Sequence, residues 1–318
     1  MAISRGQILK ELVPGLHAIF GTEYSRYENE HAVLFDEESS NRAFEEEVLF
    51  PGFGEASVKF EGQAVNYADT GEGWVARYNH ETIAMAFSIT EEAMEDNLYD
   101  KMSTRLTKAL ARSMASAKQT KAANVFNNAF SATQLGGDGK VLAATDHPLQ
   151  SGASQANTFT TQAELSETSL EDALIGIAGF TDDRDIPIAL QGKTLHIPRQ
   201  LVFVAERLMA SPYRPGTADN DVNALVSKGM LPGGYHINHR FTGQKRWFIR
   251  TDSPHGMKMF TRSPINTSME GDFETGNVRY KARERDTHLG SLTGEVSGVQ
   301  THPKHYGGGV KTAPFINP

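Results

Sequence analysis

The stretch SITEEAMEDNLYDKMSTRLTKALARSMASAKQTKAANVFNNAF, residues 88–130, carries a single helical pattern with its charges sorted end to end. Thr90 is a good N-cap, and Glu91, Glu92, Glu95, Asp96 and Asp100 occupy the opening turns, where the helix dipole favours acids. From Lys101 to Gly137 there is no acidic residue, while Lys101, Arg105, Lys108, Arg112, Lys118 and Lys121 follow one another. Met94, Leu98, Met102, Leu106, Leu110 and Met114 recur every four residues, and Val125, Phe126, Ala129 and Phe130 continue the apolar side. Neither Gly nor Pro interrupts the run. At 1.5 Å per residue it makes a rod of roughly 60 Å, against about 11–12 residues for an ordinary helix. Part of so long a surface is expected to meet something outside its own core.

An alternating pattern feeds this helix. Val58 and Phe60 alternate with Lys59 and Glu61, Trp74 to Tyr78 forms a second run, and Ile83, Met85, Phe87 and Ile89 a third. With a turn signal at residues 69–73, residues 45–89 read as a long hairpin with a polar tip. Such a hairpin is marginal alone and needs a surface to lie on. Residues 1–44 hold a short helical pattern (Ile8, Leu12, Leu16, Ile19, Phe20) and a polar stretch, and read as an arm with little core of its own.

Beyond the long helix, residues 136–139 signal a tight turn, and a polar link runs to about Glu167. Thr168 to Glu171 reads as a capping box opening a second helix over Leu170, Leu174, Ile175 and Ala178. Leu195–Ile197 is a strand, and Pro198 opens a third helix through Leu201, Val202, Ala205, Leu208 and Met209. Arg246–Arg250, Met257–Thr261 and Asn277–Arg285 are strands, and the tail from Ser297 is extended. Helices and strands mix without βαβ alternation, so the class is α+β.

Several chemistries fail on inspection. The chain has no cysteine, which removes disulfides, thiolate metal sites and cysteine nucleophiles. His80-Glu81 begins a zinc-protease motif, but Ala84 stands where its second His belongs. Tyr306–Thr312 imitates a phosphate loop with Val310 in place of the required Gly, and Gly139-Lys140 is followed by Val141 rather than Ser or Thr. No G-x-S-x-G elbow occurs. The pairs His236/His239 and His302/His305 lack a third ligand and read as surface histidines. Asp182, Asp183 and Asp185 lack the spacing of a calcium loop and read as a solvated turn, and Asp219, Asn220 and Asp221 as a helix cap. No cofactor is expected and no enzyme. No apolar run is long enough for a membrane span, and the N-terminus lacks a signal-peptide core, so a soluble protein made in the cytosol is expected. A net charge of −8 argues against a dedicated DNA-binding protein.

Lys101, Arg105, Lys108 and Arg112, spaced four, three and four apart, share one helix face, where like charges repel by a few tenths of a kcal/mol each. A solvated face is the simplest reading. The functional reading is that the stripe meets acids of another segment or subunit, with Asp36, Glu37, Glu38, Glu45, Glu46 and Glu47 as candidates, or packaged nucleic acid.

The order of arm, hairpin, long helix, turn-rich link and α+β domain resembles the major capsid proteins of tailed bacteriophages, with the Hong Kong 97-type fold. The segments VLAATDHPLQSGASQAN (141–157), GKTLHIPRQLVFVAERLMAS (192–211), KRWFIRTD (245–252) and TGNVRYKARERDTHLG (275–290) carry the likeness. The resemblance implies an N-terminal arm (1–44), an E-loop hairpin (45–89), a peripheral domain with a spine helix (90–165), an axial domain (166–269), and a return to the peripheral domain with the tail (270–318). It implies a virion shell of hexamers and pentamers around double-stranded DNA, bound without sequence specificity and without a membrane. Portal and scaffolding or decoration proteins would be the other partners. The absence of a long helical prefix points to a separate scaffold or none. Assembly contacts are expected at Lys59, Phe60, Trp74, Arg77, Tyr78, Lys101, Arg105, Lys108 and Arg112. Lys59 has no matching Asn or Glu for the covalent cross-link of some relatives and reads as an ordinary exposed Lys. An encapsulin-like shell enclosing proteins is the alternative.

Overall fold

The computed structural model describes residues 5–69, 71–90, 92–93, 99–149, 151–214, 221–253, 257–272, 274–287 and 315–317. Strands β3 (Val75–Ile89), β9 (Lys258–Gly271) and β10 (Val278–Thr287) build the middle of a mixed five-stranded sheet in the order β1-β9-β10-β3-β2, with β1 at Asp36–Ser39 and β2 at Phe44–Val48. β1 runs parallel to β9, and the other neighbours are antiparallel. A second sheet, β11-β8-β6-β7, joins β6 (Gly192–Pro198), β7 (Tyr235–Asn238), β8 (Trp247–Thr251) and β11 (Phe315–Asn317); β4 (His147–Pro148) and β5 (Ser154–Gln155) make a small ribbon. The helices are α1 (Arg5–Ser25), α2 (Tyr99–Asn127), α3 (Glu167–Ala178), α4 (Val202–Ala210) and the short α5 (Ala224–Ser227).

The long helix is present as α2, about 43 Å of rod over its 29 residues. Thr90 Oγ1 accepts a 3.4 Å bond from the Ala93 N–H, as a cap should, and residues 92–93 are helical. Residues 91 and 94–98, with most of the acidic opening turns, lie outside the described residues. Ser103, Thr107, Leu110, Ala111, Met114, Ala115, Ala122, Ala123 and Phe126 form the buried stripe, whereas Met102 is half exposed. A series of strict fours rotates about 40° per step around a helix of 3.6 residues per turn, so it cannot stay on one face. The true stripe therefore drifts off the methionine series into Ala, Ser and Thr.

Different partners cover that stripe along its length. Leu110, Ala111 and Met114 pack with Leu16 and Phe20 of α1 and with Tyr280 and Ala282 of β10. Farther on, Ala122, Ala123, Val125, Phe126 and Ala129 pack with Leu34, Phe35, Phe241, Phe248, Met257 and Met259. Phe126 sits between three aromatic rings, with centroids 6.0 Å from Phe35, 5.7 Å from Phe241 and 5.0 Å from Phe248. A third cluster closes α3, α4 and α5 over β6 and β8, around Leu170, Ile177, Leu195, Ile197, Trp247 and Ile249.

The first 44 residues, read as an arm with little core of its own, contribute to the subunit's core. Leu16, Phe20, Leu34 and Phe35 are each less than 5% exposed, and β1 is a strand of the main sheet. The segment docks, but on its own α2. The hairpin differs from expectation too. No strand forms around Val58–Glu61, because among the described residues no strand pairs with it to take its backbone hydrogen bonds. The ladder instead joins β2 to the start of β3, from Val48 opposite Val75 to Phe44 opposite Asn79, and the later apolar run continues β3 against β10.

Two caps also shift. α3 starts at Glu167 behind Ser166, whose Oγ accepts from the Ser169 N–H at 3.2 Å while Ser169 Oγ accepts from the Ser166 N–H at 2.9 Å. The box is thus Ser166/Ser169, not Thr168/Glu171, and Ile175 is exposed. α5 is capped by Asn223, whose Oδ1 accepts from the Leu225 N–H at 3.1 Å; 219 and 220 lie outside the described residues. After α2, the Gly136–Gly139 turn forms, with the Gly139 N–H donating to the Gly136 carbonyl at 2.8 Å. A Cβ on Gly137 would stand 2.9 Å from the Val75 carbonyl oxygen, so only Gly lets this turn rest against the start of β3.

Truncating the ring that joins these parts should be costly: Phe126→Ala is expected to destabilise the subunit by about 3–5 kcal/mol. Urea unfolding of the unassembled chain measures it.

Candidate assembly surface

The loop between β2 and β3 is held at its root and left open beyond it. The Leu49 N–H donates to the Trp74 carbonyl at 3.0 Å and the Gly73 N–H to the Leu49 carbonyl at 2.7 Å, with Leu49 buried. Asp182 Oδ1 accepts the N–H groups of Arg184 and Ile186, both at 2.8 Å, and the turn so formed aims Arg184 Nε at the Gly52 carbonyl, 3.2 Å away. That turn, expected to be solvated, has Asp182 and Asp183 buried. Past the root, Phe53, Val58, Phe60, Val65 and Tyr67 are 56%, 79%, 68%, 64% and 92% exposed. Lys59 is exposed beside them, and a small turn from Phe60 to Gln63 uses Gly62 at φ +81°. Five large apolar side chains of this one loop are thus left in contact with solvent. Covering each contributes about 1.5–3 kcal/mol.

The other expected contact residues divide. Trp74 is half-buried at the loop root. Arg77 is held within the subunit, 2.5 Å from Glu46 Oε1 and over the Phe44 ring at 4.4 Å. Tyr78 is not a surface residue: it is buried, its hydroxyl donates to Glu47 Oε2 at 3.2 Å, and its ring packs edge-on against Phe260. β3 alternates, so Ala76 and Tyr78 point into the sheet's covered side.

Of the basic stripe, Arg105, Lys108 and Arg112 are exposed, and the Lys101 side chain lies outside what is described. The six candidate acids do not serve it from within the subunit. Asp36 pairs with Arg250, and Glu37 lies 2.9 Å from His31 Nε2. Glu38 and Glu47 flank Lys258 at 3.6 and 2.5 Å. Glu45 accepts from Ser40 at 2.6 Å and faces Arg42 at 3.7 Å, while Glu46 holds Arg77. Farther along α2 the cations are used: Lys118 lies 3.3 Å from Asp286, and Lys121 pairs with Glu81.

Asp286 belongs to a buried polar cluster that the sequence reading passed over. β10 buries every second residue from Val278, and that alternation carries Glu284 and Asp286 inward behind Tyr280 and Ala282. The signal was present, since Glu and Asp at period two with Tyr and Ala share their face. Tyr24 of α1 donates to Glu284 Oε2 at 3.1 Å, and its hydroxyl is pushed far above the usual phenol range by burial and then by Glu284. Burial raises the Glu284 carboxyl to about 7, with Lys118 opposing and Asp286 reinforcing. His31, beside them, is held below the ordinary imidazole range by burial and then by Lys118. These groups tie α1, α2 and β10 at one point.

Among the described residues, no three His, Asp or Glu side chains converge as metal ligands. His239 Nδ1 lies 2.9 Å from Glu30, and His236 stacks on His196, a buried imidazole held at about 3 by burial and then by His236. His302 and His305 lie outside the described residues. Among those residues no helix is long and apolar enough to cross a membrane.

A sequence model of the phage capsid protein family matches residues 75–289, from the first residue of β3 to just beyond the end of β10. This chain belongs to the phage capsid protein family. The capsid protein's α+β fold is the Hong Kong 97-type fold that its sequence resembles, and it is a structural protein of the bacteriophage head. Among solved structures it is similar to one from Mycobacterium phage Adephagia, at 13% identity over 92% of this chain and 90% of that one, with a TM-score of 0.49. A virus-like particle from Pyrococcus furiosus is similar at 10% identity over 85% and 92%, with a TM-score of 0.45. The bacteriophage JBD30 capsid is similar at 12% identity over 89% and 62%, with a TM-score of 0.41. No curated protein matches.

The raised Glu284 gives the capsid protein a pH-dependent stability. The folded subunit keeps that proton to about pH 7, whereas the unfolded chain releases it near 4.5, so the stabilisation is full below 4.5 and lost as pH rises through 7. Glu284→Gln is expected to remove a decline on the order of 3 kcal/mol across that window. Denaturant midpoints of both chains from pH 4 to pH 8 check it, and equal slopes would contradict it.

Proposed function

We propose that the chain is the major capsid protein, which assembles with copies of itself into hexamers and pentamers of an icosahedral shell around double-stranded DNA. The observation that carries this reading is the loop between β2 and β3, where the subunit leaves Phe53, Val58, Phe60, Val65 and Tyr67 exposed, on a chain of the capsid family. In this reading residues 45–89 are the E-loop and its stem, residues 90–130 the spine helix, residues 166–269 the axial domain and residues 270–290 the return strand. The loop tip lies on a neighbouring copy, where Val58, Phe60 and Tyr67 lose the water contact they have in the single subunit. The shell would be completed by a portal and, where used, scaffolding or decoration proteins. The chain's role is mechanical, and no catalytic residue is assigned to it.

The test is electron microscopy of the expressed protein, with closed shells as the expected outcome. Shells rich in protein cargo and free of nucleic acid would instead favour an encapsulin-like compartment. Val58→Ser combined with Phe60→Ser is expected to leave subunit stability within about 0.5 kcal/mol, as for exposed positions generally, and to abolish closed shells. Normal shells from that variant would remove the loop from the assembly contacts.

A further inference from the structure

The face of α2 that carries the stripe lies open beside the end of α1. An open groove of about 760 Å³ is lined by Lys108, Arg112, Ser113, Ser116 and Thr120 of α2 and by Tyr27. Glu23, Ala109, Ala117 and Lys121 complete the lining. Lys108, Arg112, Ser116 and Thr120 follow at steps of four, so the cationic row runs on as a row of exposed hydroxyls, with Arg105 preceding it on the same face. Glu23 is the acid in this lining, and Arg26 faces it at 3.7 Å while the Tyr27 hydroxyl donates to it at 3.3 Å. Arg105, Lys108 and Arg112 have no ion pair among the described residues, unlike Lys118 and Lys121 farther along the same helix.

Two occupants could supply the missing negative charge. The acidic loop of a second copy, with Glu55, Glu61, Asp69 and Glu72, would bring Phe53, Val58 and Phe60 with it. The groove offers these side chains one ring, Tyr27, whose hydroxyl is tied to Glu23, and otherwise the short side chains of Ala109, Ala117, Ser113, Ser116 and Thr120, so much of their apolar area would stay uncovered. A nucleic-acid backbone brings charge without apolar bulk. Lysine, arginine, serine, threonine and tyrosine side chains are the usual donors to phosphate oxygens. The row from Arg105 to Thr120 spans about 22 Å, the length of about six successive phosphates of one strand at 3.4 Å each.

We infer that this face of α2 is the surface that holds the phosphate backbone of enclosed double-stranded DNA, without regard to sequence. The inference rests on the shell-forming reading above and names the face turned toward the contents. On a chain of net charge −8, it concentrates the attraction for DNA on one row and leaves the rest of the surface to repel it.

The test measures binding of a short random-sequence duplex to the unassembled full chain by fluorescence anisotropy over a range of salt, with particle formation scored by electron microscopy. Each phosphate contact adds about 0.9 to the slope of log affinity against log salt. Arg105→Gln, Lys108→Gln and Arg112→Gln together should therefore reduce that slope by about 2–3. Removing three exposed cations elsewhere, by Lys193→Gln, Arg199→Gln and Lys228→Gln, should leave it unchanged. Should the triple stripe variant fail to fold, Arg112→Gln alone is expected to reduce the slope by about 1. Equal losses from stripe and control variants would overturn the proposal. So would a stripe variant that binds DNA like the parent but no longer forms shells, which would give the stripe to a neighbouring subunit. A parent chain that never closes into shells while showing the stripe-dependent slope would sink the shell reading and leave the DNA contact standing.

Discussion

A helix of this length cannot bury its apolar stripe against one compact core, and most of the subunit follows from that constraint. A single domain presents a wall much shorter than about 43 Å, so successive stretches of α2 take different partners. Its middle, at Leu110, Ala111 and Met114, packs with α1 and β10, and its last turns lie in the aromatic cluster around Phe126. The second cluster includes residues from the N-terminal segment, from β8 and from the entry to β9, so α2 joins the two sheets. With the helix in place, β3 and β10 gain the long antiparallel register from Val278 opposite Ile89 to Thr287 opposite His80.

Charge is placed with the same economy. Where α2 turns toward the sheet, its lysines meet carboxylates, and Lys118 beside the buried Asp286 offsets part of the cost of burying that charge. Glu284 shows the limit of that compensation: Lys118 and Tyr24 both favour its ionised form, yet burial and Asp286 outweigh them and the proton stays on to about pH 7. Where α2 turns outward, Arg105, Lys108 and Arg112 make no ion pair among the described residues, and exposed hydroxyls follow them. The loop of residues 49–74 repeats this on the apolar side, its root fastened by Leu49, Trp74 and Arg184 and its aromatic tip left for something beyond the subunit.

Much of this was legible beforehand. The helix, the strands around Leu195, Arg250 and Arg283, and the helix after Pro198 follow from periodicity and local backbone preference, which act over a few residues. The errors have one character. The expected strand at Val58–Glu61 had the right alternation but no neighbour for its ladder. Tyr78 looked like a surface aromatic because nothing local reports Glu47 and Phe260 on either side of it. The capping box moved two residues because Ser166 and Ser169 compete with Thr168 and Glu171 on equal local terms.

The sequence by itself determined the α+β class, the family likeness, the long helix and the segregation of its charges. These depend on side-chain spacing and composition, which one chain read in order contains. Only the tertiary structure decided which charges are spent. Asp36, Glu37, Glu38, Glu45, Glu46 and Glu47 are bound to their own subunit, while Lys108 and Arg112 face an open groove and Arg105 is exposed on the same helix. The physical reason is that ion pairing acts over a few ångströms in space: Glu37 and Glu45 find partners nearby in the chain, but Asp36, Glu38, Glu46 and Glu47 meet cations dozens to hundreds of residues away.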